Sequence, residues 1–170
     1  MRYNKIRKMD IANGPGVRVS IFLQGCAFNC KNCFNQETHD FNGGKIFDEN
    51  VAKEVINLCK NENVKGLSIL GGEPLHPKNI EATKMLAKEF KAEFKNNEKD
   101  IWVWSGYKFE NIPNKADLKD IDVLIDGQYV DELHNPKLNW RGSSNQRIIN
   151  VKESLKENKP VLYTKYYEKN

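Results

Sequence analysis

Hydrophobic and polar positions alternate first at residues 17–24. Val17, Val19, Ile21 and Leu23 interleave with Arg18, Ser20, Phe22 and Gln24, the period-two pattern of a strand. The turn "NGPG" (Asn13 to Gly16) precedes it. Asp48 is a candidate cap for a helix whose apolar face is Val51, Ala52, Val55, Ile56 and Cys59. "LSIL" (67–70) is a short buried strand ending in "GGEP". A second helix follows, with Ile80, Thr83, Ala87, Phe90 and Phe94 near one face. "IWVW" (101–104) and "VLI" (123–125) are further strands, ending in "SGY" and "DGQY". Toward the tail come Ile148–Ile149, a helical stretch over 152–157 and a last strand at Val161–Tyr163.

Strand and helix alternate, so the pattern predicts an α/β fold with a mostly parallel sheet. Ligands of such folds sit at the carboxyl ends of strands. The segment after Leu23, "GGEP", "SGY" and "DGQY" should therefore meet on one edge. At 170 residues the chain is too short for the usual eight-fold barrel of about 250 residues. An open, partial (β/α) barrel forming a single domain over 1–170 fits better.

Composition narrows the class. Charged residues make up 29% and hydrophobic ones 39%, an ordinary soluble balance. Apolar runs are too short to span a membrane, and "MRYNKIRKMDIANGPG" has no apolar signal core. A cytoplasmic protein is the expectation. Net charge is +4, with lysines scattered among acidic residues as in "KAEFKNNEKD" (91–100), read as a helix end and loop. No basic stripe interleaved with aromatics appears, which argues against nucleic acid as a partner.

Chemistry concentrates in "GCAFNCKNCFN" (25–35), which holds Cys26, Cys30 and Cys33, three of the four cysteines. Clustered reduced thiols point to metal. A closed zinc site needs four protein ligands, and His39 is the nearest candidate for a fourth. His76 in "PLHP" and His134 in "ELHNP" read as turn residues. Alternatively, three thiolates on a four-iron cluster leave one iron open for a substrate or cofactor. Cys59 is a poor fourth ligand, because it falls on an apolar helix face.

The loop Cys26-x3-Cys30-x2-Cys33 followed by "GGEP" resembles the radical S-adenosylmethionine superfamily. "NGPGVR", "GCAFNCKNCFN", "GGEPLHP", "IWVWSGY", "DVLIDGQYV" and "WRGSSNQR" follow in that order. Together they resemble the glycyl-radical-enzyme activating family that serves anaerobic ribonucleoside-triphosphate reductases. The resemblance covers residues 3 to about 150.

The resemblance implies a radical S-adenosylmethionine type of partial barrel. It implies one 4Fe-4S cluster on Cys26, Cys30 and Cys33, with S-adenosylmethionine on the open iron. Asn32, Cys33 and Phe34 would lie against that cofactor, and Gly71, Gly72 and Glu73 would support its methionine end. The residue before the third cysteine, often aromatic in the superfamily, is here Asn32. The implied reaction cleaves S-adenosylmethionine reductively to methionine and a 5′-deoxyadenosyl radical. That radical takes a hydrogen atom from a glycine of the reductase. No general acid or base is needed, so no other catalytic residue is assigned. A flavodoxin or ferredoxin is implied as electron donor.

Arg18 is expected either to reach the cofactor or to cap the polar face of its strand. Ser105 and Tyr107 are placed near the pocket, and Trp102 and Trp104 in the core. "WRGSSNQR" (140–147) is read as docking a glycine-bearing loop of the reductase through Asn145, Gln146, Arg141 and Arg147. Activation of another glycyl-radical enzyme, a small carboxylating or rearranging radical enzyme, and a zinc-binding or redox-sensing module are the competing readings. "GSSNQR" and the short length argue against the first two.

Overall fold

The computed structural model describes residues 1–96 and 98–167; Asn97, inside the 91–100 stretch, and residues 168–170 of the expected single domain lie outside them. Seven strands form one open sheet in the order β3-β1-β2-β4-β5-β6-β7. They are β1 (Arg2–Asp10), β2 (Val17–Leu23), β3 (Lys45–Ile46), β4 (Val64–Gly71), β5 (Asp100–Trp104), β6 (Val123–Asp126) and β7 (Arg147–Asn150). The helices are α1 (Glu49–Leu58), α2 (Ile80–Glu93) and α3 (Val151–Glu157).

The sheet is α/β as expected, but mixed. The pairings β2–β4, β4–β5 and β5–β6 are parallel. Those of β1 with β2, β1 with β3, and β6 with β7 are antiparallel. Connection length explains the first of these. Asp10 and Val17 are joined by the tight Asn13–Gly16 turn, far too short for a parallel crossover of a dozen residues. The expected strand at Val161–Tyr163 is a single bridge, Leu162 to Ile149. Among the described residues no helix is long and apolar enough to cross a membrane.

Alternation gives the sheet two different faces. Val19, Ile21, Leu23, Leu67, Ile69, Ile101 and Val103 pack under α1 and α2. Asp48 caps α1 by accepting a 3.0 Å bond from Val51 N, and Cys59 lies wholly buried in this core. From α2, Leu86, Ala87 and Phe90 enter it. Burying one such large side chain stabilises the fold by about 1.5–3 kcal/mol.

The opposite face carries Trp102, Val123, Ile125 and Ile148, along with Arg18. Arg18 is fully buried. It donates to Ser68 Oγ (2.8 Å) and Leu67 O (3.1 Å) and pairs with Asp100 Oδ1 at 2.7 Å. These partners lie toward the amino ends of the parallel strands. Arg18 is thus a structural residue and does not reach toward a cofactor at their carboxyl ends.

Candidate functional site

The carboxyl ends of β2, β4, β5 and β6 converge on one cavity of about 580 Å³. This is where the strand-end glycines and polar residues were expected to meet. The cavity is lined by Cys26, Cys30, Cys33 and Phe34, by Gly71, Gly72 and Glu73, and by Ser105, Gly106 and Gly127.

The cysteine loop is anchored by main-chain bonds at its base. Gly25, in the left-handed region at φ +109°, donates to Thr38 O (2.7 Å), and Cys26 N donates to His39 O (3.1 Å). The carbonyl of Gly25 accepts from Glu73 N (2.9 Å) and from Asn79 Nδ2 (3.1 Å). Asn79 is 2% exposed and donates also to Glu73 O at 3.0 Å. Its position just before α2 suggests an N-cap, but it makes no side-chain cap bond and ties two loops together instead.

Beyond Cys26 the loop turns twice through left-handed residues, Asn29 (φ +51°) and Asn32 (φ +56°). Asn tolerates this region better than most side chains. Burial pushes the Cys26 and Cys30 thiols above the usual range, and for Cys30 the neighbouring Cys33 adds to it. Main-chain amides oppose this, those of Phe28 and Asn29 at Cys26 and that of Tyr129 at Cys30. Asn35 N donates to Cys33 Sγ at 3.4 Å. All three cysteines are free and half-buried. Crowded thiols that disfavour one another's ionisation, with amides aimed at sulfur and open volume alongside, suit a bound cationic cluster. Among the described residues, no group of three His, Cys, Asp or Glu side chains is already gathered around a single-ion site.

Glu73 is the buried charge of the site, 2% exposed. Oε1 accepts from Ser105 Oγ (2.7 Å) and Leu75 N (2.9 Å), and Oε2 from Gly106 N (2.7 Å). Burial still dominates these three donors and pushes its carboxyl up to about 7. Gly72 serves a different need from the one its sequence position suggests. A Cβ there would press into the Gly25 carbonyl, with the Gly25 carbon at 2.8 Å, so the glycine lets two loops touch. A Cβ at Gly106 would lie 2.6 Å from the Phe28 ring.

Other expected positions divide. Asn32 is exposed, does not line the cavity, and donates to Asp131 Oδ2 at 2.8 Å. Phe34 is 63% exposed and rests on Tyr129 and His134, at ring distances of 5.0 and 5.6 Å. Trp102 is a core residue, whereas Trp104 lines the cavity and donates to Trp140 O at 2.8 Å. His39 and His134 also line the cavity, and His76 is a turn residue that accepts from Lys78 N.

The residues of "WRGSSNQR", read as a docking strip, make many bonds within the chain. Gln146 Oε1 accepts from Gly142 N and Ser143 N, and its Nε2 donates to Gly127 O. Asn145 Nδ2 donates to Gln128 O at 2.8 Å, while Oδ1 accepts from Ser143 Oγ at 2.6 Å. Arg147 forks onto Asp126 (2.9 and 2.6 Å) and Glu110 (3.0 and 2.7 Å). Arg141 donates to Gln146 O at 3.2 Å. These groups brace the loop after β6.

A family described as "4Fe-4S single cluster domain" matches residues 12–149. Three proteins named anaerobic ribonucleoside-triphosphate reductase-activating protein are similar over most of the chain. That of Enterobacteria phage T4 is 44% identical over 148 residues, 87% of this chain and 93% of its own. That of Haemophilus influenzae is 41% identical over 156 residues, 89% and 99%. That of Escherichia coli K12 is 39% identical over 157 residues, 89% and 100%.

Proposed function

Because the chain belongs to the family of anaerobic ribonucleoside-triphosphate reductase-activating proteins, we propose that it is an enzyme that activates such a reductase by creating a glycyl radical on it. The observation that carries this reading is that Cys26, Cys30 and Cys33 open onto the same cavity as Glu73. The fourth cysteine, Cys59, is buried under the helices, where burial raises its thiol to about 12. The donor set is three thiols and no fourth, which fits a 4Fe-4S cluster with one iron left for a ligand.

Cys26, Cys30 and Cys33 would hold the cluster. A cluster held there would supply the electron for reductive cleavage of S-adenosylmethionine, the chemistry from which hydrogen abstraction at the partner's glycine would follow. The chain's own residues orient and shield. The Glu73 carboxylate, held by Ser105 and Gly106, is placed to accept from the cofactor's ammonium. Gly71 and Gly72 let the cavity floor pack against the backbone of β2 and of the cysteine loop, where Cβ atoms would meet Leu23 and Gly25. Phe22, Leu70 and Trp104 line the cavity from the sheet and exclude water. The open sheet is read as the partial barrel of the radical S-adenosylmethionine type. A flavodoxin or ferredoxin is the proposed electron donor.

Anaerobic reconstitution followed by iron, sulfide and product analysis tests this. About four irons per chain and cofactor-dependent methionine and 5′-deoxyadenosine are expected. Stoichiometric zinc without sulfide would move the protein to a zinc or redox-sensing role. Cleavage that never leads to a radical on the reductase would point to a different glycyl-radical enzyme.

A further inference from the structure

Asn32 stands between two of the three cysteines, yet its side chain leaves the cavity for the loop after β6. Asp131, in that loop, receives two bonds on separate oxygens. Asn32 Nδ2 donates to Oδ2 at 2.8 Å, and Tyr129 Oη donates to Oδ1 at 2.9 Å. The ring of Tyr129 packs 5.0 Å from Phe34, the residue after Cys33, and His134 joins the same cluster, 5.6 Å from Phe34 and 6.0 Å from Tyr129. One polar bond, Asn32 to Asp131, and an aromatic stack thus join the segment 30–34 to the segment 129–134, with Tyr129 bracing Asp131 from within its own loop.

We propose that Asn32, Asp131 and Tyr129 form a latch that fixes the cysteine loop against the loop after β6 and so positions Cys30 and Cys33. The left-handed backbone at Asn32 accounts for the residue type. At φ +56° Asn is among the side chains best tolerated, and its amide supplies a neutral donor to Asp131. A bulky aromatic at this position would be strained. Asn32 is therefore a positioning residue whose role is the loop contact. The Lys31–Glu132 pair, at 3.8 Å with both side chains about 70% exposed, adds little beside it.

The latch makes Cys30 and Cys33 depend on residues about a hundred positions away. Opening it would free the sulfurs to move and expose them to solvent. Solvent exposure is one of the levers on a cluster's reduction potential, so a latch defect has a signature that a mere loss of stability lacks. This consequence rests on the cluster reading above; the loop contact itself does not.

Amide hydrogen exchange on the anaerobically reconstituted protein tests the latch, with the midpoint potential as second readout. Asn32→Gly keeps the backbone conformation while removing the bond, and Asp131→Ala removes the acceptor. Each should raise exchange at residues 28–34 and 129–131 about tenfold, as loss of a hydrogen bond to a charged acceptor implies. The double variant should be little worse than either, and Asp131→Asn, which keeps an acceptor, should restore most protection. The potential should shift from the wild-type value in Asn32→Gly and Asp131→Ala. Wild-type exchange in both variants, or strictly additive effects, would overturn the latch. If the wild type takes up no cluster, the functional reading fails, and exchange in the cluster-free protein still decides whether the two loops are joined.

Discussion

Ser105 Oγ lies 2.7 Å from Glu73 Oε1, joining the ends of two neighbouring parallel strands through one buried carboxylate. Gly106 N and Leu75 N complete its shell. Between them these contacts set the spacing of the "GGEP" and "SGY" loops, the floor of the cavity.

The charge of Glu73 should make stability depend on pH. Its carboxyl is raised by burial from 4.5 to about 7 in the folded chain. The folded state therefore binds more protons than the unfolded state between these values, and stability falls as pH rises through them. The loss is on the order of 3 kcal/mol, with stability greatest below the unfolded value. Glu110 acts with the opposite sign at lower pH, because Arg147 holds it down at about 2. Denaturant midpoints between pH 5 and 7.5 should decline in the wild type and stay nearly level in Glu73→Gln. A flat wild-type profile would show that the three donors outweigh burial.

Gly72→Ala should damage the cysteine loop as well as the cofactor floor, because the new Cβ meets the Gly25 carbonyl. Iron content after reconstitution should fall to less than half. Gly127→Ala is the comparison. Its backbone is left-handed at φ +98°, but the nearest atom to a Cβ is 3.8 Å away. It should cost about 1–2 kcal/mol in backbone strain and leave iron near the wild-type level. Equal iron in both variants would detach Gly72 from cluster support.

Arg147 carries unequal bonds. Asp126 is 1% exposed in its side chain, against 48% for Glu110. Asp126 also accepts from Phe109 N at 2.7 Å. Arg147→Ala leaves Asp126 without its cation and should cost about 3–5 kcal/mol. Glu110→Ala removes a solvent-facing pair worth about 0–1 kcal/mol. Thermal or chemical unfolding of the two variants should rank them in that order.

Much of this arrangement could be read along the chain. The strands at 17–23, 67–70, 101–104 and 123–125 alternate cleanly, and the helices show their apolar faces. Strand β1 escaped, because "RYNKIRKMD" offers only Tyr3 and Ile6 as half-buried apolar positions on an outer strand. The cysteines and "GGE" were legible because their chemistry is dense and local. Asn79, Tyr129 and Gln146 were not. Each is an ordinary polar residue by type, and acts through a contact made by sheet order rather than by sequence spacing. The internal bonds of "GSSNQR" were hidden for the same reason: its side chains reach the loop after β6, and nothing in its composition reveals that.

Single cysteine substitutions should sort the four thiols into three and one. Cys59→Ala should reconstitute with about four irons per chain and lose only about 1–2 kcal/mol of packing. Cys26→Ala, Cys30→Ala and Cys33→Ala should each lose the cluster. Iron loss in folded Cys59→Ala would place a ligand in the helical core and dismantle the three-thiol site.

The central claim is that the chain makes a glycyl radical on its reductase. Electron paramagnetic resonance of an anaerobic mixture of reduced protein, S-adenosylmethionine and its cognate reductase tests it most directly. A glycyl doublet that appears only with all components present is the predicted result. It should vanish with Cys30→Ala and with the reductase's glycine replaced by alanine. Complete cleavage of S-adenosylmethionine with no protein-bound radical would contradict the account.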